Sequence, residues 1–246
     1  MEVCNMIVQD KKHMTWGVVM TIIFAGILIF MFSNAFQGRT PGEKINAFEA
    51  SDNLFNSIAK GSTNYFPTLL KENQKFMDHS INLELNMPNE TVAQIGGELL
   101  QAAGASAQSE TSQITVQGQL GQILETALLD SQFLFNNQEQ QLMNTYDLEG
   151  RKVIYVWWHI FSALEKRLTK AGDFKAAKFV GRANKRGVEV GYNFYGIPSQ
   201  TATDKAGILS FSLVFYVLYT LWWGFAIFFL FEGLGLQMSS GAKKEV

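Results

Sequence analysis

The chain has 246 residues, 47% of them apolar and 17% charged, with a formal net charge of −2. A near-neutral balance excludes a dispersed polycation built to coat nucleic acid and an acidic disordered tail. The single cysteine, Cys4, excludes a disulfide framework, and no Cys-x-x-Cys-His exists for covalent haem attachment.

The average hides a segregation. Residues 16–32 and 206–231 contain no charged side chain. About 20 apolar residues cross a ~30 Å hydrocarbon core. The expected layout is therefore a short cytoplasmic tail over 1–14, a transmembrane helix over 15–33, an extracytoplasmic domain over 34–207, a second transmembrane helix over 208–232 and a short cytoplasmic tail over 233–246. A buried core helix is the rival reading of both segments. A cleaved signal peptide is a further rival for the first, since Lys11 and Lys12 form a positive flank and Ser33-Asn34-Ala35 suits cleavage; its apolar stretch exceeds the usual ~7–15 residues. Lys11, Lys12, Lys243 and Lys244 place both tails inside by the positive-inside rule, against Arg39, Lys44 and Lys205 on the other side. The expected location is the inner (plasma) membrane.

Between the spans the pattern predicts helices. Thr40-Pro41-Gly42-Glu43 has the form of a helix start, leading into a helix over about 41–60. Pro67 opens a second, with Leu69, Leu70, Phe76, Met77 and Ile81 on its apolar face. Pro88 opens a third, with Val92, Ile95, Leu99 and Leu100. Residues 104–118 are small, polar and Gly-bounded, and are expected to form an exposed loop. Within them Ile114-Thr115-Val116 alternates, over too short a run to define a strand. Helical spacing resumes over about 118–146 and 150–170, the latter ending at Gly172 as a left-handed cap. Asp173 caps a last helix over about 174–191, whose strip of Ala177, Gly181, Asn184, Val188 and Gly191 permits close approach of a neighbour. Amphipathic helices of this kind bury their faces against one another. The expected fold is thus an all-α membrane protein, two transmembrane helices flanking a large extracytoplasmic helical bundle.

Charge is uneven. Residues 34–150 carry 5 basic and 14 acidic side chains, residues 151–207 carry 11 basic and 4 acidic. Either the two halves neutralise one another on packing, or Lys166, Arg167, Lys170, Lys175, Lys178, Arg182, Lys185 and Arg186 form a basic face for an acidic partner or anionic lipid.

Catalytic patterns are sparse. His13, His79 and His159 have no metal-binding spacing, and His79 with Asp78 and Glu84 is the nearest cluster. No nucleophile elbow, phosphate loop or dinucleotide fingerprint is present. No metal, cofactor or catalytic group is assigned, and the chain is expected not to be an enzyme. Asn89-Glu90-Thr91 matches the glycosylation acceptor pattern, a match common by chance.

Trp157-Trp158-His159 is the most unusual local feature. It is read either as core packing with a solvated or hydrogen-bonded His159, as a docking face, or as a helix lying in the membrane interface. Tyr192 and Tyr195 suit interfacial anchors. In the second span Trp222 and Trp223 lie deep, facing a partner helix or cofactor unless the span is shifted. Glu232 ends the uncharged run as a snorkelling or a buried carboxylate. Gly17, Ala25 and Gly26 offer small surfaces in the first span. The candidate partner interface is therefore Trp157, Trp158, Gly181, Gly191, Trp222, Trp223 and Glu232.

The layout resembles, in architecture alone, the input half of bacterial chemoreceptors and sensor kinases. It departs from them after the second span, where 14 residues follow. Two functions are expected. One is a non-catalytic accessory or structural subunit of a larger membrane complex, energy-transducing or transport, bracing an extracytoplasmic partner. The other is a ligand-binding or sensory module signalling through a separate partner. Expected partners are other membrane subunits, in a homo- or hetero-oligomer, and the lipid bilayer, with no nucleic acid.

Overall fold

The computed structural model describes residues 8–38 and 42–236. Cys4, Arg39, Thr40, Pro41, Lys243 and Lys244 lie outside the described residues. The chain divides into two compact units. One comprises the residues up to Ile58 together with those from Gln200, the other is Ala59–Ser199.

In the first unit, α1 (Lys11–Phe32) and α10 (Ala206–Gly233) are each long and apolar enough to cross a membrane. Their 22 and 28 residues correspond to roughly 33 and 42 Å of helix. Both are longer than expected from sequence by three residues, α1 because Asp10 caps it ahead of its lysines. The Asp10 carboxylate accepts from the backbone N–H groups of Lys12 and His13 at 2.8 and 3.1 Å, and these bonds hold it below the usual carboxylate range. The helices pack antiparallel. A methyl at Gly17 would meet the Leu230 nitrogen at 2.7 Å, so backbone meets backbone there, while a methyl at Gly26 would meet nothing. At the end nearest Gly233 the Gln9 and Asp10 N–H groups donate to its carbonyl.

The helix expected over 41–60 begins later. Gly42 has φ +90°, and Lys44–Ile45 (β2) pairs antiparallel with Phe36–Gln37 (β1). The helix proper, α2 (Ala47–Ser62), starts with a reciprocal cap: Glu49 N–H donates to Asn46 Oδ1 and Asn46 N–H to Glu49 Oε2.

The second unit corrects the all-α expectation, since it contains a three-stranded antiparallel sheet. Its strands β3 (Ser80–Asn86), β4 (Ser106–Glu110) and β5 (Gln113–Gln119) stand in the order β3-β5-β4. Ile81 thus belongs to a strand, and the helix that Pro67 opens is short, α3 (Phe66–Asn73) with one tighter turn to Phe76. The expected loop at 104–118 is mostly the β4–β5 hairpin, turning at Thr111 with φ +50°. One sheet face is polar and exposed. Ile81, Leu85, Ala107, Ile114 and Val116 on the other are buried. That face packs on α4 (Glu90–Ala102) and α7 (Gly150–Lys170). Asn89 is the cap of α4, its side chain accepting from Val92 N–H at 2.9 Å.

The helix expected over 118–146 is two, α5 (Leu120–Phe135) and α6 (Glu139–Tyr146), parted where Asn137 adopts φ +60°. The 150–170 helix forms over its expected length as α7, and Gly172, at φ +82°, follows it in the left-handed conformation. Asp173 caps α8 (Phe174–Ala183) through Ala176 N–H. The helical path continues through a wide π turn at Asn184–Val188 into α9 (Glu189–Asn193).

α7 is the centre of the core. Val153, Ile154, Trp157, Ile160, Phe161 and Leu164 recur at helical spacing and are each fully buried. Each such side chain contributes about 1.5–3 kcal/mol of transfer free energy.

Candidate functional site

The outward edge of α7 meets α9 in an apolar groove of about 330 Å³, lined by Ile154, Tyr155, Trp158, Val188, Glu189, Tyr192 and Asn193. Its shape follows from the π turn. One extra residue in that turn rotates Glu189 and Tyr192 relative to α8, and such turns recur at functional sites. The Trp158 indole N–H donates to Glu189 Oε1 at 2.9 Å, fixing the ring across the groove. Tyr155, 45% exposed, and Tyr192, 37% exposed, present their faces to solvent. The Arg151 guanidinium lies 5.5 and 5.4 Å from the Tyr192 and Tyr195 ring centres. The Tyr195 hydroxyl donates to Glu139, which holds that phenol above its usual range.

His159 sits edge-on between Tyr155 and Trp158, at 4.6 and 4.8 Å between ring centres. Its Nε2 is buried with no hydrogen-bond partner. Burial lowers its basicity, so the ring is neutral at pH 7. The expectation of a solvated or hydrogen-bonded His159 does not hold at that nitrogen, because the two flanking rings close it off.

Trp157 points the other way and is fully buried. Its indole N–H donates to Asp130 Oδ2 at 2.8 Å, and the Tyr146 hydroxyl donates to the same oxygen at 2.8 Å. The Asp130 carboxyl is 6% exposed. Burial pushes its pKa up to about 6, the two donors only partly opposing that, and the same burial raises the Tyr146 phenol. Asp130 was not singled out from sequence. The available signal was a carboxylate following Ala127-Leu128-Leu129 on an apolar helix.

The small-residue strip is used within the domain. A methyl at Gly191 would meet the Ser131 carbonyl oxygen at 2.6 Å, so α9 and α5 touch backbone to backbone. Gly181 lies against the Glu165 side chain of α7. In the first unit Trp223 stacks on Phe24 at 4.4 Å, and the Trp222 indole N–H donates to the Met20 carbonyl at 3.0 Å. The helix these two tryptophans face is thus α1. Both nonetheless stay more than a third exposed. Glu232 is half-buried near the end of α10. The structure therefore gathers Trp158 with Tyr155, Glu189 and Tyr192, turns Trp157 inward, and keeps Trp222, Trp223 and Glu232 on a separate unit.

Two further features were not foreseen. Lys60 is 2% exposed, and its ammonium donates to the carbonyls of Ile197 at 2.6 Å and Phe194 at 3.1 Å. Burial lowers its pKa. His79 faces Asp173 at 3.0 Å, and among the described residues no group of three or more His, Cys, Asp or Glu is placed to hold a metal ion.

No protein-family model, no curated protein and no solved structure matches this chain.

Proposed function

We propose that this chain is a non-catalytic accessory subunit of a larger membrane complex, anchored by α1 and α10 in the inner membrane, with both termini cytoplasmic and residues 34–207 extracytoplasmic. The observation that carries the reading is the uncovered apolar surface of the two long helices. Only 6% of the most apolar window of each is buried. Ile29, Phe211, Leu213 and Tyr216 are 71, 67, 66 and 65% exposed. Surface of that extent needs lipid or other helices around it.

The groove on α7 and α9 supports the bracing role. Trp and Tyr, with Arg151 beside them over the Tyr192 ring, are side chains of the kind that dominate protein interfaces. A partner extracytoplasmic subunit would seat an apolar side chain against Trp158 and Tyr155. Purification in mild detergent followed by native mass measurement tests this. The expected result is an assembly heavier than one copy of the chain, broken by Trp158→Ala together with Tyr155→Ala. A monomer under the gentlest extraction sinks the proposal. The groove's volume also favours a second reading, an extracytoplasmic ligand-binding or sensory module working through a separate partner. A ligand that raises the melting temperature of the full chain, and loses that effect in Trp158→Ala, would select it.

A further inference from the structure

The turn between α7 and α8 carries a concentration of charge that the groove does not use. Residues 166–178 hold four lysines and one arginine against one aspartate, a net charge of +4. Lys166, Lys170, Lys175 and Lys178 are exposed, and among the described residues none of them forms an ion pair. The acidic residues nearby are engaged elsewhere. Asp173 caps α8 and meets His79, and the Glu165 side chain packs on Gly181. Among the described residues, one Arg–carboxylate ion pair joins the acidic half of the domain to this basic half, Arg182 with Glu72. Neutralisation between the halves is therefore not what the lysines are used for. In their midst Phe174, the first residue of α8, is 68% exposed.

We infer that this helix-turn-helix tip binds the anionic phospholipid surface of the bilayer that holds α1 and α10. The inference rests on the reading of those helices as membrane spans. The composition favours lipid over an acidic protein. Lysine is depleted in protein interfaces, where arginine is enriched. Lysines clustered beside one solvent-facing aromatic are the combination that meets phosphate headgroups and enters the acyl boundary. Attachment to the bilayer raises the effective concentration of its surface, so a weak patch suffices.

The test uses the full chain reconstituted in nanodiscs of phosphatidylcholine alone or with one-third phosphatidylglycerol. Amine acetylation at each lysine is read by mass spectrometry. The expected result is that Lys166, Lys170, Lys175 and Lys178 react about tenfold more slowly in the anionic discs, and that half-molar salt removes the difference. Replacing Lys170 and Lys175 by Gln should return Lys166 and Lys178 to the rates seen in neutral discs, with hydrogen exchange in α5 unchanged as the sign of an intact fold. Equal rates in both kinds of disc overturn the inference. So does protection that is the same in neutral discs, which would indicate an acidic protein or a second copy. Failure of the chain to enter discs of either kind would instead refute the membrane-span reading.

Discussion

The two units use the same kind of side chain in opposite ways. In residues 59–199 apolar groups converge, and a tryptophan such as Trp157 is wholly enclosed with its indole N–H on a carboxylate. In the α1–α10 pair they diverge, and Trp222, satisfied by a backbone carbonyl, stays 37% exposed. Their hydropathy differs, since among the described helices only α1 and α10 are apolar enough along their length to cross a membrane. What separates them is where charge sits: an amphipathic helix such as α7 has one side to bury, whereas α10 is apolar all round and has no side turned to water.

The largest expected effect tests this contrast directly. Trp157→Ala should destabilise the 59–199 unit by about 4 kcal/mol, through the cavity and the hydrogen bond that the Asp130 carboxyl loses, Tyr146 remaining as its donor. Trp222→Ala should cost that unit under about 0.5 kcal/mol. Urea unfolding of the full chain in detergent, followed by hydrogen exchange in α5 and α7, measures both. Equal losses would dissolve the distinction between the units.

Asp130 gives the next effect. Its folded pKa of about 6 lies above the ordinary value of 3.8, so between those values the folded state holds the proton that the unfolded state has released. Stability is therefore greatest below pH 4 as far as this group is concerned, and falls as pH rises through 6, by about 3 kcal/mol at most. Asp130→Asn should flatten that slope and raise the melting temperature at pH 7. An unchanged slope would show that the carboxyl is hydrated when folded.

Lys60→Met should cost about 2 kcal/mol, since the carbonyls of Phe194 and Ile197 lose the ammonium and keep only the Ile197 N–H at 3.3 Å and the Asn137 side-chain amide at 3.2 Å. Protease nicking near residue 197 would read the loosening. The smallest effect separates two glycines of α1. Gly17→Ala should weaken the α1–α10 pairing by about 1 kcal/mol and Gly26→Ala by almost nothing, because only the first abuts Leu230. Cross-linking between engineered cysteines on the two helices, compared across the two variants, checks the pair.

The helices of the second unit were legible where caps and period agreed, as at Gly150–Lys170 with Gly172 behind it. The sheet was not, although Ile81, Leu83 and Leu85 alternate with Ser80, Asn82, Glu84 and Asn86. The helical spacing from Leu69 to Met77 ran into that strand and absorbed its Ile81. In the hairpin, Gln108, Glu110, Gln113, Thr115 and Gln117 line a polar face with few β-branched residues, so composition resembles a loop while pairing makes it a strand. Of the candidate site, Trp158 was legible by its rarity. Glu189 and Tyr155 were not, since the π turn that brings Glu189 to Trp158 has no local sequence signature. Trp157 shows the limit of reading rarity as exposure, since its neighbour in sequence faces the opposite way.

The Lys60 ammonium grips the last carbonyls of the 59–199 unit, joining residues 137 positions apart. Its two ends therefore lie side by side, the arrangement that lets a folded module be spliced into a loop of a host. In modular terms, this is an insert carried between the two arms of a helical hairpin.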